Sequence, residues 1–308
     1  MVNWPLGKAR TPERRMHART SRTFRIAAAL AALLLGAGPV VGLEPEELRF
    51  LAELRARRLF ESAEYHCRLQ LEKSEATAAE RAEWTIELAR TYAEHAMNVP
   101  PQQREPLWRA AREAVAELAR REPLHPRLPV VRTQDVLTQL ALGELARQEA
   151  EAALEPEPRL AEAREHLRGA IRGLEQLDRE IATEHLPRRL ANRNPGPEEL
   201  SLTELHALQA NVQFQLARGL RNQALTYPAG SDDRIALLSQ AVERLTPLAS
   251  KDDAPLRLPA ALDLIRCRRL LGIAGRRDAR RLLEAFGARN PPPTSAGTAS
   301  GNFQRCPL

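Results

Sequence analysis

The stretch LAEAREHLRGAIRGLEQLDREI, residues 160–181, decides the fold class of this chain. Its apolar residues recur every three or four positions, at Leu160, Ala163, Leu167, Ala170, Leu174, Leu177 and Ile181. That spacing places them on one face of an α-helix and leaves the charged residues on the other faces. The wider composition agrees, since helix-forming Ala, Leu, Arg and Glu dominate and aromatic residues make up only 4% of the chain. The sequence therefore predicts an all-α protein.

The helical spacing recurs along most of residues 44–291 and is broken at intervals by proline. Residues 86–100, IELARTYAEHAMNVP, align without a gap to residues 214–228, FQLARGLRNQALTYP. The helices that follow also agree, AREAVAEL at 111–118 against LSQAVERL at 238–245. A helix, a proline break and a return helix therefore repeat, which predicts about five stacked antiparallel hairpins. Within the later hairpins, Ser231 is a predicted N-cap.

Two return helices place a small residue first, apolar residues four and seven positions later, and a proline twelve positions after the first. They are Ala111, Val115, Leu118 and Pro123, and Ala279, Leu283, Phe286 and Pro291. Ala163, Leu167 and Ala170 match without the proline, and Ala63 with Cys67 matches in part. This pattern resembles the tetratricopeptide repeat, although the repeats depart from its regular length of about 34 residues. The resemblance implies a right-handed superhelix, an α-solenoid, over residues 43–289, with Leu238, Val242 and Leu245 as further packing residues.

The resemblance also implies a function, because tetratricopeptide repeats bind proteins or peptides in a groove lined by the first helix of each hairpin. Polar residues on predicted first helices are the candidates to line it: Gln139, Asn211, Gln215 and Arg218. We expect a non-catalytic scaffold with a protein or peptide ligand.

The first 42 residues have the order of a bacterial secretory signal peptide. A basic n-region, residues 1–25, precedes the apolar h-region IAAALAALLLGAG at 26–38, and cleavage is expected between Gly42 and Leu43. The mature chain would then be periplasmic or secreted. An alternative remains open, in which residues 26–42 stay uncleaved and anchor the chain in the membrane with the repeats outside. Met16 is an alternative start.

The net charge of +6 belongs to this leader. Seven basic residues and one acid lie in residues 1–42, which leaves 39 of the 46 basic and 39 of the 40 acidic residues for the rest. A neutral mature chain does not favour a nucleic-acid partner. Within it, residues 43–100 lean acidic and residues 256–289 lean basic.

The sequence carries no recognisable catalytic, metal-binding or phosphate-binding motif, so no cofactor, metal or catalytic residue is predicted. Cys67, Cys267 and Cys306 are too few and too far apart for a disulfide framework. His66 beside Cys67 is a weak candidate for a nucleophile and its base, since such partners converge from separate elements. Four aromatic residues at helical spacings are expected in the core: Tyr65, Trp84, Tyr92 and Trp108. An all-α enzyme stays open as an alternative.

Residues 290–308, NPPPTSAGTASGNFQRCPL, are rich in Pro, Ser and Gly and lack a helical pattern. They indicate a disordered tail or a linker. If they form a linker, the chain is the N-terminal fragment of a larger exported repeat protein, whose activity would lie in the missing domains.

Overall fold

The computed structural model describes residues 43–192, 196, 198–251 and 254–289. Within these residues every regular element is helical and no strand occurs, which confirms the prediction of an all-α protein. The predicted leader at 1–42, including Gly42 of its predicted cleavage site, and the predicted tail or linker at 290–308 lie outside the described residues. None of the described helices combines the length and the apolar character needed to span a membrane.

The helices follow one another with short connections. They are α1 (Pro45–Ala56), α2 (Phe60–Leu71), α3 (Ala78–Asn98), α4 (Arg104–Arg121), α5 (Leu128–Ala150), α6 (Glu157–Glu180), α7 (Leu186–Ala191), α8 (Leu202–Ala224), α9 (Asp232–Ser250), α10 (Arg257–Leu270) and α11 (Ile273–Arg289). A 3-10 turn, Pro101–Gln103, precedes α4, and a π-helical turn, Ile181–His185, joins α6 to α7. The chain divides into two compact units, Met1–Gln215 (unit 1) and Leu216–Leu308 (unit 2), so the boundary falls within α8.

Side-chain caps fix the starts of α3, α8 and α9, and the caps of α3 and α9 illustrate them. At α3 the Glu80 backbone NH donates to Thr77 Oγ1 at 3.1 Å, and the Thr77 NH donates to Glu80 Oε2 at 2.8 Å, which forms a capping box. At α9 the Arg234 NH donates to Ser231 Oγ at 3.4 Å, so the predicted cap at Ser231 is confirmed. Both caps satisfy backbone donors that the first helical turn leaves unpaired.

Helices α5 and α6 of unit 1 pack as antiparallel neighbours. Between α5 and α6, Val136 contacts Gly173, Gln139 contacts Gly169 and Leu167 contacts Gly143, so residue numbers rise along one helix as they fall along the other. The approach is close, since a Cβ atom on Gly143 would lie 2.6 Å from Leu167 Cγ. Earlier in the chain, α3 packs against α1, α2, α4 and α5.

The packing residues predicted for unit 1 lie in its interior. Exposure does not exceed 8% for any of Ala63, Cys67, Ala111, Val115, Leu118, Ala163, Leu167 and Ala170. Trp84, Tyr92 and Trp108 are buried with them, whereas Tyr65 is 67% exposed, so its predicted place in the core is wrong. Tyr65 lies on the face of α2 opposite the buried Ala63 and Cys67, and helical spacing alone did not separate the two faces.

In unit 2 the predicted packing residues Leu238, Leu245 and Ala279 are buried and Val242 is half-buried. Leu283 is 54% exposed, so the expectation that it packs between helices is wrong. The buried positions Gly275 and Ala279 lie in the first half of α11, and Leu283 follows one turn later on the same side of the helix, where it is left uncovered. Gly275 allows α11 to approach α10 closely, because a Cβ atom there would lie 2.1 Å from the Arg268 carbonyl oxygen of α10. The side chain of Phe286 lies outside the described part of the chain.

Candidate functional site

The polar residues predicted to line a binding groove do not lie on an open surface. Asn211 and Arg218 are each 8% exposed and Gln215 is fully buried. Gln215 Nε2 donates to Asn211 Oδ1 at 3.4 Å along α8. Gln139 is half-buried and its amide packs against Gly169 of α6. Three of the four are buried and Gln139 is half-buried, so little of their surface is open in this structure, and their role in lining a ligand groove stays a prediction.

An open groove of about 750 Å³ lies instead in unit 1, between α4, α5 and α6. Its floor is apolar and is formed by Trp108, Val115, Val136, Leu142 and Leu177. Its rim carries seven charged residues, Glu105, Arg109, Arg112 and Glu113 from α4, Arg132 and Asp135 from α5, and Glu180 from α6. We call this feature the α4–α6 groove.

Small residues in the lining explain why the groove is open. Ala116 and Ala119 of α4 and Gly173 of α6 line it, and none of them carries a side chain long enough to fill it. Gly173 also allows α6 to rest on Val136, since a Cβ atom at Gly173 would lie 2.9 Å from a Val136 methyl carbon. The sequence therefore fixes the position of α6 and leaves the space above α5 empty.

The rim of the α4–α6 groove has a net charge close to zero, and weak ion pairs join some of its side chains. Arg112 Nε lies 3.2 Å from Asp135 Oδ1, and Arg132 Nη1 lies 3.8 Å from Glu180 Oε2. Both arginine side chains are about half exposed, so solvent screens these pairs and each contributes little to stability. Such charges can exchange their present partners for those of a ligand at small cost. Three arginines among seven charged groups do not form the positive field that a nucleic acid needs.

A second polar feature, the α1–α3 ion cluster, is closed to solvent. Arg55 Nη1 of α1 lies 2.6 Å from Glu87 Oε2 of α3, and Arg90 Nη1 lies 2.5 Å from Glu87 Oε1. Arg55 Nε lies 3.6 Å from Glu94 Oε2 and Nη1 donates to Thr91 Oγ1 at 3.3 Å. No side chain in these ion pairs is more than 9% exposed, so the cluster joins α1 to α3 and offers a ligand no entry.

The carboxylates of this cluster differ in their pKa. Burial acts to raise the pKa of Glu87, but the charges of Arg90 and Arg55 and their hydrogen bonds outweigh it and hold the pKa below its ordinary value. For Glu94, burial prevails over the same two arginines and raises the pKa. Burial likewise raises the pKa of Glu83, one helical turn before Glu87, and the charge of Glu87 adds to the shift. Glu87 is therefore the carboxylate that the two arginines stabilise as an anion.

The His66–Cys67 pair does not form a nucleophile with its base. His66 Nε2 lies 3.1 Å from Glu47 Oε2, and its ring makes edge contacts with Phe50 and Trp84. Burial, aided by the charge of Glu87, raises the pKa of the Cys67 thiol to about 12, so the thiol stays protonated. Burial also raises the pKa of Cys267, in unit 2, to about 12. Neither thiol is therefore activated as a nucleophile.

Sequence reasoning missed both the α4–α6 groove and the α1–α3 ion cluster. One signal could have revealed the cluster, because Glu83, Glu87, Arg90 and Glu94 recur at helical spacing along one face of α3. For the groove the signal is weaker, since it consists of small residues on the outer face of α4. Across the described residues, no group of three His, Cys, Asp or Glu side chains is placed to hold a metal ion. Comparisons of the chain with known protein families, with curated proteins and with solved structures found no match.

Proposed function

We propose that this chain is an exported, non-catalytic scaffold of tetratricopeptide-like hairpins, and that its α4–α6 groove binds a helical segment of a partner protein. The observation that carries the proposal is the groove itself, an open channel with an apolar floor and a nearly neutral, exchangeable rim. An amphipathic helix with an apolar stripe and charges of both signs beside it matches that surface.

The helix contacts in unit 1 support the tetratricopeptide-like part of the proposal. Contacts join α1 to α3 and α3 to α5, as well as each helix to its immediate successor from α1 to α6. Stacked hairpins produce this pattern, because the first helix of each hairpin packs on the first helix of the next. In that arrangement α4 and α6 are return helices, and the groove lies between them over α5.

A display selection tests the binding function directly. A library of helical peptides about 15 residues long, with one apolar stripe and varied flanking charges, is selected on the intact chain. Peptides enriched on this chain should lose binding to Ala116→Arg, because the new side chain enters the groove. Ala161→Arg is the matched control, since Ala161 is exposed on α6 and does not line the groove. Enriched peptides that bind Ala116→Arg as well as they bind the parent chain would refute the groove as the site.

Export rests on the order of the first 42 residues, a basic segment followed by an apolar run and small residues. N-terminal sequencing of the protein from the exported fraction tests it. A mature chain that begins at Leu43 supports a periplasmic or secreted scaffold. Recovery of the uncut chain from the membrane fraction supports the alternative, in which residues 26–42 anchor it with the helical part outside.

A further inference from the structure

The outer face of α2 carries exposed apolar side chains between two carboxylates. Tyr65 is 67% exposed and Leu69 is 46% exposed. Glu61 and Glu72 flank them at helical spacing, so the four side chains lie on one face of the helix. Across the described residues no basic side chain pairs with either glutamate. We call this surface the α2 face.

The outer face of α11 has the opposite charge. Arg276, Arg277, Arg280 and Arg281 are exposed there, and Leu283 is exposed beside them. Arg280 Nε lies 3.1 Å from Glu284 Oε1. For the other three arginines, the described part of the chain supplies no carboxylate partner. We call this surface the α11 face.

The spacing of charged and apolar side chains can be compared along the two faces. On α11 the four arginines all precede Leu283, and Arg276 lies seven residues, or about 10 Å along the axis, before it. On α2, Glu61 lies six residues before the midpoint of Tyr65 and Leu69 and Glu72 lies five residues after it, so each is about 8 Å away. With Leu283 on Tyr65 and Leu69, the arginines therefore lie on the side of one glutamate, and the direction in which the two helices run decides which one.

From these observations we infer that the α11 face of one copy docks on the α2 face of a second copy. Charge complementarity selects this occupant, because both halves of the contact occur in the same sequence. Residues 43–100 hold 12 acidic and 8 basic residues, whereas residues 256–289 hold 3 acidic and 9 basic residues.

The two faces are different surfaces, so the contact is heterologous. Such a contact leaves one α2 face and one α11 face open on every dimer, and copies add until a ring closes or a filament grows. The contact surface differs from the α4–α6 groove, and the groove variant Ala116→Arg should leave the association unchanged. Exposed ion pairs contribute to it, so salt should weaken it.

Sedimentation velocity of the intact chain in a mild non-ionic detergent tests the inference, because the detergent keeps the apolar run 26–38 from associating. The weight-average mass should rise with protein concentration at low salt, and 0.5 M NaCl should reduce the rise. Arg276→Glu with Arg280→Glu should weaken association at least about tenfold, and so should Glu61→Arg with Glu72→Arg. All four substitutions in one chain should restore it, because the charges are exchanged between the faces.

Arg172→Glu with Arg179→Glu is the control, since it makes the same charge change on exposed positions of α6. The circular dichroism of every variant verifies that it is folded. A chain that stays monomeric at all concentrations in low salt overturns the inference, as does a four-fold variant that fails to recover association. A monomeric chain that binds phosphatidylserine vesicles through Arg276 and Arg280 would identify the α11 face as a lipid-binding surface and would also overturn it.

Discussion

Helices α3 and α6 are both long helices of unit 1, but they are buried in different ways. On α6 a single apolar stripe faces α5, and the opposite face is polar and exposed. On α3 every residue from Trp84 to Glu94 is buried, including Glu87, Arg90 and Glu94. The difference follows from the neighbours, because α3 packs against α1, α2, α4 and α5 and has no face left for solvent. A helix in that position must bury its charges as pairs, since an unpaired buried charge is costly.

The largest effect on stability is expected from a substitution that disrupts the apolar interface of α6. Leu167 is fully buried against Gly143 of α5, so Leu167→Asp removes its packing and buries a carboxylate without a partner. The loss should be about 5 kcal/mol or more, comparable with the whole stability of a domain. Circular dichroism and urea unfolding measure it. Leu154→Asp is the matched control, because Leu154 is fully exposed, and a similar loss in both variants would contradict the assignment of the stripe.

The next largest effect on stability is expected from a substitution that disrupts the polar interface of α3. Glu87→Ala leaves Arg55 and Arg90 buried without their main carboxylate, and we expect a loss of about 3–5 kcal/mol in the free energy of unfolding. Glu53→Ala removes an exposed pair with Arg57 in the neighbouring α1 and should cost less than about 1 kcal/mol. Urea titration of the two variants side by side gives the comparison. Equal losses would show that burial of the pair makes no difference.

A third, smaller effect separates rigid from adaptable contacts within the α5–α6 interface. Gly143→Ala places a methyl group against the Leu167 side chain and backbone, and overpacking of that kind costs about 1–3 kcal/mol. Gly169→Ala meets only the mobile amide end of Gln139, so the gain in helix propensity, about 1 kcal/mol, should prevail. Thermal unfolding should therefore shift in opposite directions for the two variants. Shifts of the same sign would show that the interface adapts equally at both positions.

The smallest effect concerns pH. Burial raises the pKa of Glu94 despite Arg55 and Arg90, so the folded state holds this proton more tightly than the unfolded state does. Its contribution to stability is therefore present below the ordinary carboxyl pKa of 4.5 and is lost as pH rises through the raised value. Glu94→Gln should remove this contribution to the pH dependence of the free energy of unfolding. It should change the free energy of unfolding at pH 7 by less than about 1 kcal/mol. Urea titrations from pH 4 to pH 8 test this, and a pH dependence identical to the parent chain would contradict it.

The comparison of α3 with α6 also shows what sequence could and could not provide. The stripe from Ala163 to Ile181 predicted the buried face of α6 correctly, because one apolar face against one neighbour is the case that periodicity describes. Periodicity does not show whether a charged residue faces water or an opposite charge. The burial of Glu87, and of Asn211 and Gln215 in α8, therefore could not be predicted from spacing.

The candidate site was harder to predict than the fold. The α4–α6 groove depends on space left by Ala116, Ala119 and Gly173, and the sequence records small residues without showing what surrounds them. Leu283 shows the same limit in unit 2, where it follows the buried Gly275 and Ala279 at helical spacing and is nevertheless exposed. Both features depend on three-dimensional packing between helices that are separate in sequence.

The two buried cysteines make the stability of each unit measurable without introducing a new reporter residue. Cys67 lies in unit 1 and Cys267 in unit 2, and both have a pKa raised to about 12. Alkylating reagents attack the thiolate, so each residue reacts only when its surroundings open to water. With Cys306→Ser to remove the third thiol, mass spectrometry of the alkylated peptides yields a separate opening free energy for each unit from one sample. The chain therefore carries an endogenous reporter of local unfolding in each of its two units.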